Sequence, residues 1–150
     1  MRIVLHSPQI PQNTGNIVRT CAVTGTQLSL VHPLGFSTDA KHLRRAGLDY
    51  WEGVQVDEWE ALLPLLERAE HPFYFFSSHA TAVYSDIPFG PDDWLIFGSE
   101  TSGLPQVFLD RWPERFYRIP MLPNRRCLNL ATSAGIVLYE ALRQQQFSIF

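Results

Sequence analysis

The feature that most limits this chain is a recurring order: a short apolar run, a break marked by proline or glycine, then a helical pattern. Runs at residues 2–6, 27–31, 54–56, 73–77, 94–97 and 116–119 have the length and the β-branched or aromatic content of strands. A helix is predicted from Asn13 to about Thr24, with Gly25 as its left-handed stop, and another over residues 43–46, ended by Gly47. Asp57 with Glu60 resembles a capping box for a helix running to about Arg68, which Pro64 should kink or interrupt; Leu62, Leu63, Leu65 and Leu66 are its expected core residues. The last helix has Leu130, Ala134, Val137 and Ala141 on one face. Strands alternating with helices imply an α/β domain with a mostly parallel sheet and helices on both faces, because parallel neighbours need crossover connections.

Residues 1–150 contain no linker, repeat or low-complexity run, so a single domain is expected. With 45% hydrophobic residues, a chain of this size can bury roughly two thirds of its unfolded surface without disulfides or metal. Cys21 and Cys127 lack CxxC spacing, which points to a reducing, cytoplasmic setting. No apolar stretch approaches the ~20 residues that span a bilayer. His6, His32, His42, His71 and His79 are scattered without metal-ligand spacing, so no metal is expected.

The formal charge of −3 argues against nucleic-acid binding by overall field, but its distribution matters more. Eleven of the 12 basic residues are arginine, several in groups: Arg44 with Arg45, Arg111 with Arg115 and Arg118, and Arg125 with Arg126. The guanidinium fork suits phosphate, although each group read alone is equally well a solvated surface.

Ligands of parallel α/β folds bind beyond the carboxyl ends of the strands. Loops 77–80, 98–104 and 120–128 fall there and could line one pocket. The segment 119–141 draws most attention, since a proline-bounded loop with two arginines and an asparagine runs directly into the last helix. Asn13, Thr14, Gly15 and Asn16 open the first helix after a strand, which is the geometry of an anion or cofactor site, with Arg19 one to two turns further on. The dinucleotide and nucleoside-triphosphate fingerprints are both missing.

Three segments, Asn-Thr-Gly-Asn-Ile-Val-Arg (13–19), Phe-Gly-Ser-Glu-Thr-Ser-Gly-Leu (97–104) and Ile-Pro-Met with Leu-Asn-Leu and Tyr-Glu (119–140), together resemble the three motifs of SPOUT methyltransferases. Pro-Leu-Gly-Phe (33–36) and Leu-Arg-Arg-Ala-Gly-Leu-Asp-Tyr (43–50) are similar to the small single-domain branch that methylates the ribose 2′-hydroxyl of the wobble cytidine or uridine of tRNA. The resemblance implies a SPOUT fold with a deep C-terminal trefoil knot, S-adenosylmethionine as cofactor, a homodimer, and the tRNA anticodon stem-loop as partner. Carried over by position, Phe76, Gly98, Gly103, Ile119, Cys127 and Leu128 would contact the cofactor, with cysteine at 127 where the family usually has serine. Arg19 would be the catalytic residue, supported by Asn13, Glu100 and Asn129. Arg125, Arg126, Arg44 and Arg45 would contact RNA. Tyr139 and Glu140 match the family's Tyr-Glu pair and fit a dimer interface or a core edge equally well. Alternative readings are another RNA site, such as ribosomal RNA, or a non-catalytic nucleotide-binding module on the same fold.

Overall fold

Alternation of side chains along the central strands decides the layering. In the computed structural model, which describes residues 1–39, 41, 51 and 53–150, strand β1 (Arg2–His6) sends Ile3 and Leu5 to one face and Val4 to the other, and all three are fully buried. A strand covered on both faces must lie inside a sheet sandwiched by helices. The first face is covered by α1 (Pro11–Thr24), through Ile17, Val18 and Cys21, and by α4 (Leu130–Gln144), through Leu130, Ala134, Val137, Leu138 and Ala141. On the second face lie α2 (Leu62–Glu67), with Leu62, Leu65 and Leu66, and α3 (Gln106–Arg111), with Phe108. Burial pushes the Cys21 thiol up to about 12, as expected of a core side chain and not of a nucleophile.

The remaining strands are β2 (Gln27–Val31), β3 (Val56–Trp59), β4 (Phe73–Phe76), β5 (Ala82–Val83), β6 (Trp94–Phe97) and β7 (Phe116–Arg118). They form one sheet in the order β3-β2-β1-β6-β4-β7-β5, and every pairing is parallel. In register, Leu5 and Phe76 both lie against Phe97, and Phe76 lies against Tyr117, so the carboxyl ends of β1, β6, β4 and β7 form a common rim. β7 sits between β4 and β5, so the connection from β4 to β5 crosses it, and Ser77 N donates to Tyr117 O at 2.9 Å.

The parallel sheet with helices on both faces matches expectation; several element boundaries do not. The first helix starts at Pro11, two residues before the expected Asn13, because proline at the first helical position needs no hydrogen-bonded N–H. Asp57 does not cap a helix. It belongs to β3, and its carboxylate accepts from Arg2 Nη1 at 2.6 Å across the sheet. The helix that follows begins at Leu62, which places Pro64 in its first turn, where proline is tolerated, so no kink results. Leu63, expected in the core, is exposed because it faces away from the sheet. β5 and α3 are additional elements, and the helix expected at 43–46 lies outside the described residues.

Candidate active site at the carboxyl edge of the sheet

Glu100 organises the site. It sits in the loop after β6, and its carboxylate accepts from Gln9 N at 2.8 Å, Ile10 N at 3.2 Å and Asn13 Nδ2 at 3.0 Å. Gln9 and Ile10 immediately precede α1, whose positive dipole end favours a negative charge there. The anion site expected at the mouth of the first helix is therefore filled by the protein's own carboxylate. From this point the polar contacts run in one direction. Asn13 Oδ1 accepts from Asn129 Nδ2 at 2.8 Å, and Asn129 Oδ1 accepts from Ala131 N at 2.9 Å and Thr132 N at 3.3 Å, capping α4. A carboxylate can only accept and backbone N–H groups can only donate, so both amides between them have one allowed orientation. Three residues far apart in sequence thus tie the start of α1, the β6 loop and the start of α4 together.

Gly98 and Gly103 shape the same loop. Ser99 N donates to Gly103 O at 3.2 Å and Gly103 N to Ser99 O at 2.9 Å, which folds the loop back on itself. A Cβ at Gly98 would lie 2.5 Å from Leu104 N and against the Gly103 backbone, so only glycine permits this closure. Gly103 has φ +66°, in the left-handed region that glycine enters without strain.

The loops after β4, β6 and β7 enclose a cavity of about 620 Å³. Its walls include Phe76, Ser77, Ser78 and His79 from the first loop, residues 98–104 from the second, and Ile119, Met121, Arg126, Cys127 and Leu128 from the third. All six expected cofactor contacts, Phe76, Gly98, Gly103, Ile119, Cys127 and Leu128, lie on these walls, as do Asn13, Glu100 and Asn129. Cys127 is exposed and its Sγ donates to Ser78 Oγ at 3.3 Å, so the cysteine that replaces serine keeps a polar neighbour. Arg126 lines this cavity, whereas Arg125 lines an adjoining one of about 280 Å³.

Arg19 is not on these walls. It lies six residues after Asn13, about 9 Å further along α1 and turned roughly 120° from it, on the exposed side of the helix. Arg44 and Arg45 fall outside the described residues. Tyr139 is 44% exposed, while Glu140 accepts from Arg143 Nε and Nη2, both at 2.8 Å. The guanidinium holds the Glu140 carboxyl down to about 2. Neither residue lines the cavity. Ile10, Ser99 and Ser133 also line the site and were not singled out from the sequence. For Ile10 the available signal was its place between Pro8 and Pro11 at a helix entrance. Among the described residues, no helix is long and apolar enough to cross a membrane.

A fully parallel sheet whose carboxyl-end loops close over a cavity within the ~300–1,000 Å³ range of small-molecule sites defines an α/β ligand-binding domain of the enzyme type. Residues 1–139 match the SpoU rRNA Methylase family, and the chain belongs to it. It is 50% identical over 150 residues to the tRNA (cytidine(34)-2′-O)-methyltransferase of Methylovorus glucosotrophus, covering 97% of this chain and 96% of that protein. A solved structure described as "Structural insights into the 2-OH methylation of C/U34 on tRNA" superposes with a TM-score of 0.88 at 39% identity, covering 97% of this chain and 96% of that one. An AdoMet-bound rRNA methyltransferase from Sinorhizobium meliloti superposes with a TM-score of 0.78 at 25% identity, over 95% of this chain and 55% of that chain.

Proposed function

We propose that this protein transfers a methyl group from S-adenosylmethionine to the ribose 2′-hydroxyl of the wobble nucleotide, cytidine or uridine 34, of tRNA. The observation that carries the reading is the convergence of three loops on one cavity whose walls hold every expected cofactor contact, in a chain of this family. The walls suit the cofactor. Phe76, Phe97, Ile119 and Leu128 supply apolar surface for a flat heterocycle, and the folded-back 98–104 loop offers backbone polar groups at its edge. Bound S-adenosylmethionine supplies an activated methyl group, so the protein's task is alignment and removal of the hydroxyl proton.

Glu100, Asn13 and Asn129 serve in this reading as the rigid frame of the site. Glu100 already accepts three hydrogen bonds, which leaves it poorly placed to take a proton as well. Arg19 acts by orienting phosphate and stabilising charge, a role suited to a guanidinium fork. Since Arg19 is off the walls of its own chain's cavity, in this reading it acts on a ribose held in the cavity of a second copy of the chain, as a homodimer would allow. Arg126 contacts RNA phosphate from the cavity rim. The crossing of β7 by the β4–β5 connection is where a C-terminal trefoil knot would be drawn. A cytoplasmic location belongs to the same reading.

The test is transfer of labelled methyl to tRNA from cells lacking this protein, with nuclease mapping of the labelled nucleotide. Label at ribose 34 supports the proposal; label elsewhere in tRNA, or only in ribosomal RNA, replaces the substrate. Arg19→Ala should abolish transfer while leaving cofactor affinity nearly intact, and full residual turnover would remove Arg19 from the mechanism.

A further inference from the structure

The two arginines of the 120–128 loop are adjacent in sequence yet line different cavities. Asn124, with φ +60°, turns the backbone just before them. Arg125 lines the smaller cavity, where Arg118, at the carboxyl end of β7, and the loop residues Ser78 and His79 form other parts of the wall. No carboxylate lies on that wall among the described residues. The larger cavity differs in charge, since it contains Glu100 and a single arginine, Arg126. The cavities adjoin, sharing Ser78, His79, Ile119, Met121 and Cys127. A site with two guanidinium groups, donor side chains and no acid is suited to an oxyanion, and guanidinium favours phosphate.

We propose that the smaller cavity holds a backbone phosphate of the RNA next to the methylated ribose, with Arg118 and Arg125 as its two cationic ligands. The proposal rests on the RNA-methylating reading above. At about 620 Å³ the larger cavity is already of the size that holds a complete small-molecule ligand. The adjoining 280 Å³ is then available to the substrate strand leaving the reaction centre. Arg118 is the last residue of β7 and pairs with Val83 of β5, so its backbone is held by the sheet. It supplies a cation from the edge of the sheet, complemented by Arg125 from the loop.

The experiment measures binding of an anticodon stem-loop RNA across a salt series, cofactor affinity by calorimetry, and kcat and KM for methyl transfer. Arg118→Gln should weaken RNA binding about tenfold and reduce the slope of log K against log salt by about 1. Cofactor affinity should be unchanged, with the loss appearing in KM and not in kcat. Arg118→Lys should recover much of the binding, which separates lost charge from lost folding. Replacing one phosphate beside the target ribose by a neutral methylphosphonate should cost the wild type at least as much, and cost Arg118→Gln, which keeps only Arg125 as a cationic ligand, clearly less than it costs the wild type. Arg111→Gln removes the same charge from α3, on neither cavity wall, and should leave the slope unchanged. Four results overturn the site: unchanged RNA binding in Arg118→Gln; a loss of cofactor affinity in its place, which would give the cavity to the cofactor's carboxylate; an equal loss in Arg111→Gln; or the absence of any phosphate whose neutralisation costs the wild type more than it costs Arg118→Gln. If wild-type protein labels ribose 34 while Arg118→Gln binds RNA normally, only this inference fails. If the wild type labels no RNA, the reading beneath it fails too.

Discussion

The two sides of the larger cavity are built in opposite ways. On one, Glu100, Asn13 and Asn129 form a hydrogen-bonded chain in which every amide has one orientation, and Asn13 is only 6% exposed. On the other, the 120–128 loop carries two arginines and a cysteine that are all exposed, and among the described residues its side-chain hydrogen bond is the one from Cys127 to Ser78. The first side is ordered before any ligand arrives; the second keeps its cations available for one. Rigid groups hold geometry for alignment, whereas exposed arginines can exchange water and counterions for phosphate.

This contrast should appear most strongly in Glu100→Ala, which leaves Gln9 N, Ile10 N and Asn13 Nδ2 without their acceptor. The expected cost is about 3 kcal/mol, seen as a fall in Tm of roughly 10 °C in thermal unfolding, with methyl transfer lost as well. An unchanged Tm would mean that the first side is not held by these bonds. Gly98→Ala comes next. The new Cβ must push the 103–104 backbone away, so about 2 kcal/mol of stability and at least about tenfold in cofactor affinity should be lost in calorimetric titration.

Arg126→Ala should reverse the pattern. Tm should stay within about 2 °C, because the side chain is exposed. RNA affinity should nonetheless fall with a salt slope reduced by about 1, and a large loss of stability would place the loop with the rigid side. The smallest effect is expected for Cys127→Ser, which exchanges a thiol for the usual hydroxyl beside Ser78. Cofactor affinity should change by no more than about threefold, since one weak polar contact is replaced by a somewhat better one.

How much was legible in the sequence follows the range of the interactions involved. β2 and β6 fall on their expected boundaries, because a buried parallel strand is a short continuous apolar run with little ambiguity. The face of α4 made by Leu130, Ala134, Val137 and Ala141 is buried as its spacing requires. Asp57 misled because the local pattern of a capping box is indistinguishable from that of a β3 carboxylate bonded to Arg2, 55 residues away. β5 was missed because two residues paired to β7 have no periodicity of their own.

By itself the sequence determined the alternation of elements, the buried face of the last helix and, through three separated motifs, the family. Those properties depend on side-chain polarity at fixed spacings along one segment. Only the tertiary structure decided that Glu100 fills the mouth of α1, that Asn13 bridges Glu100 to Asn129, that Arg19 lies off the cavity walls, and that Arg125 and Arg126 line two different cavities. Each depends on where distant segments meet and which way a side chain leaves the backbone, and neighbours in the chain carry no information about either.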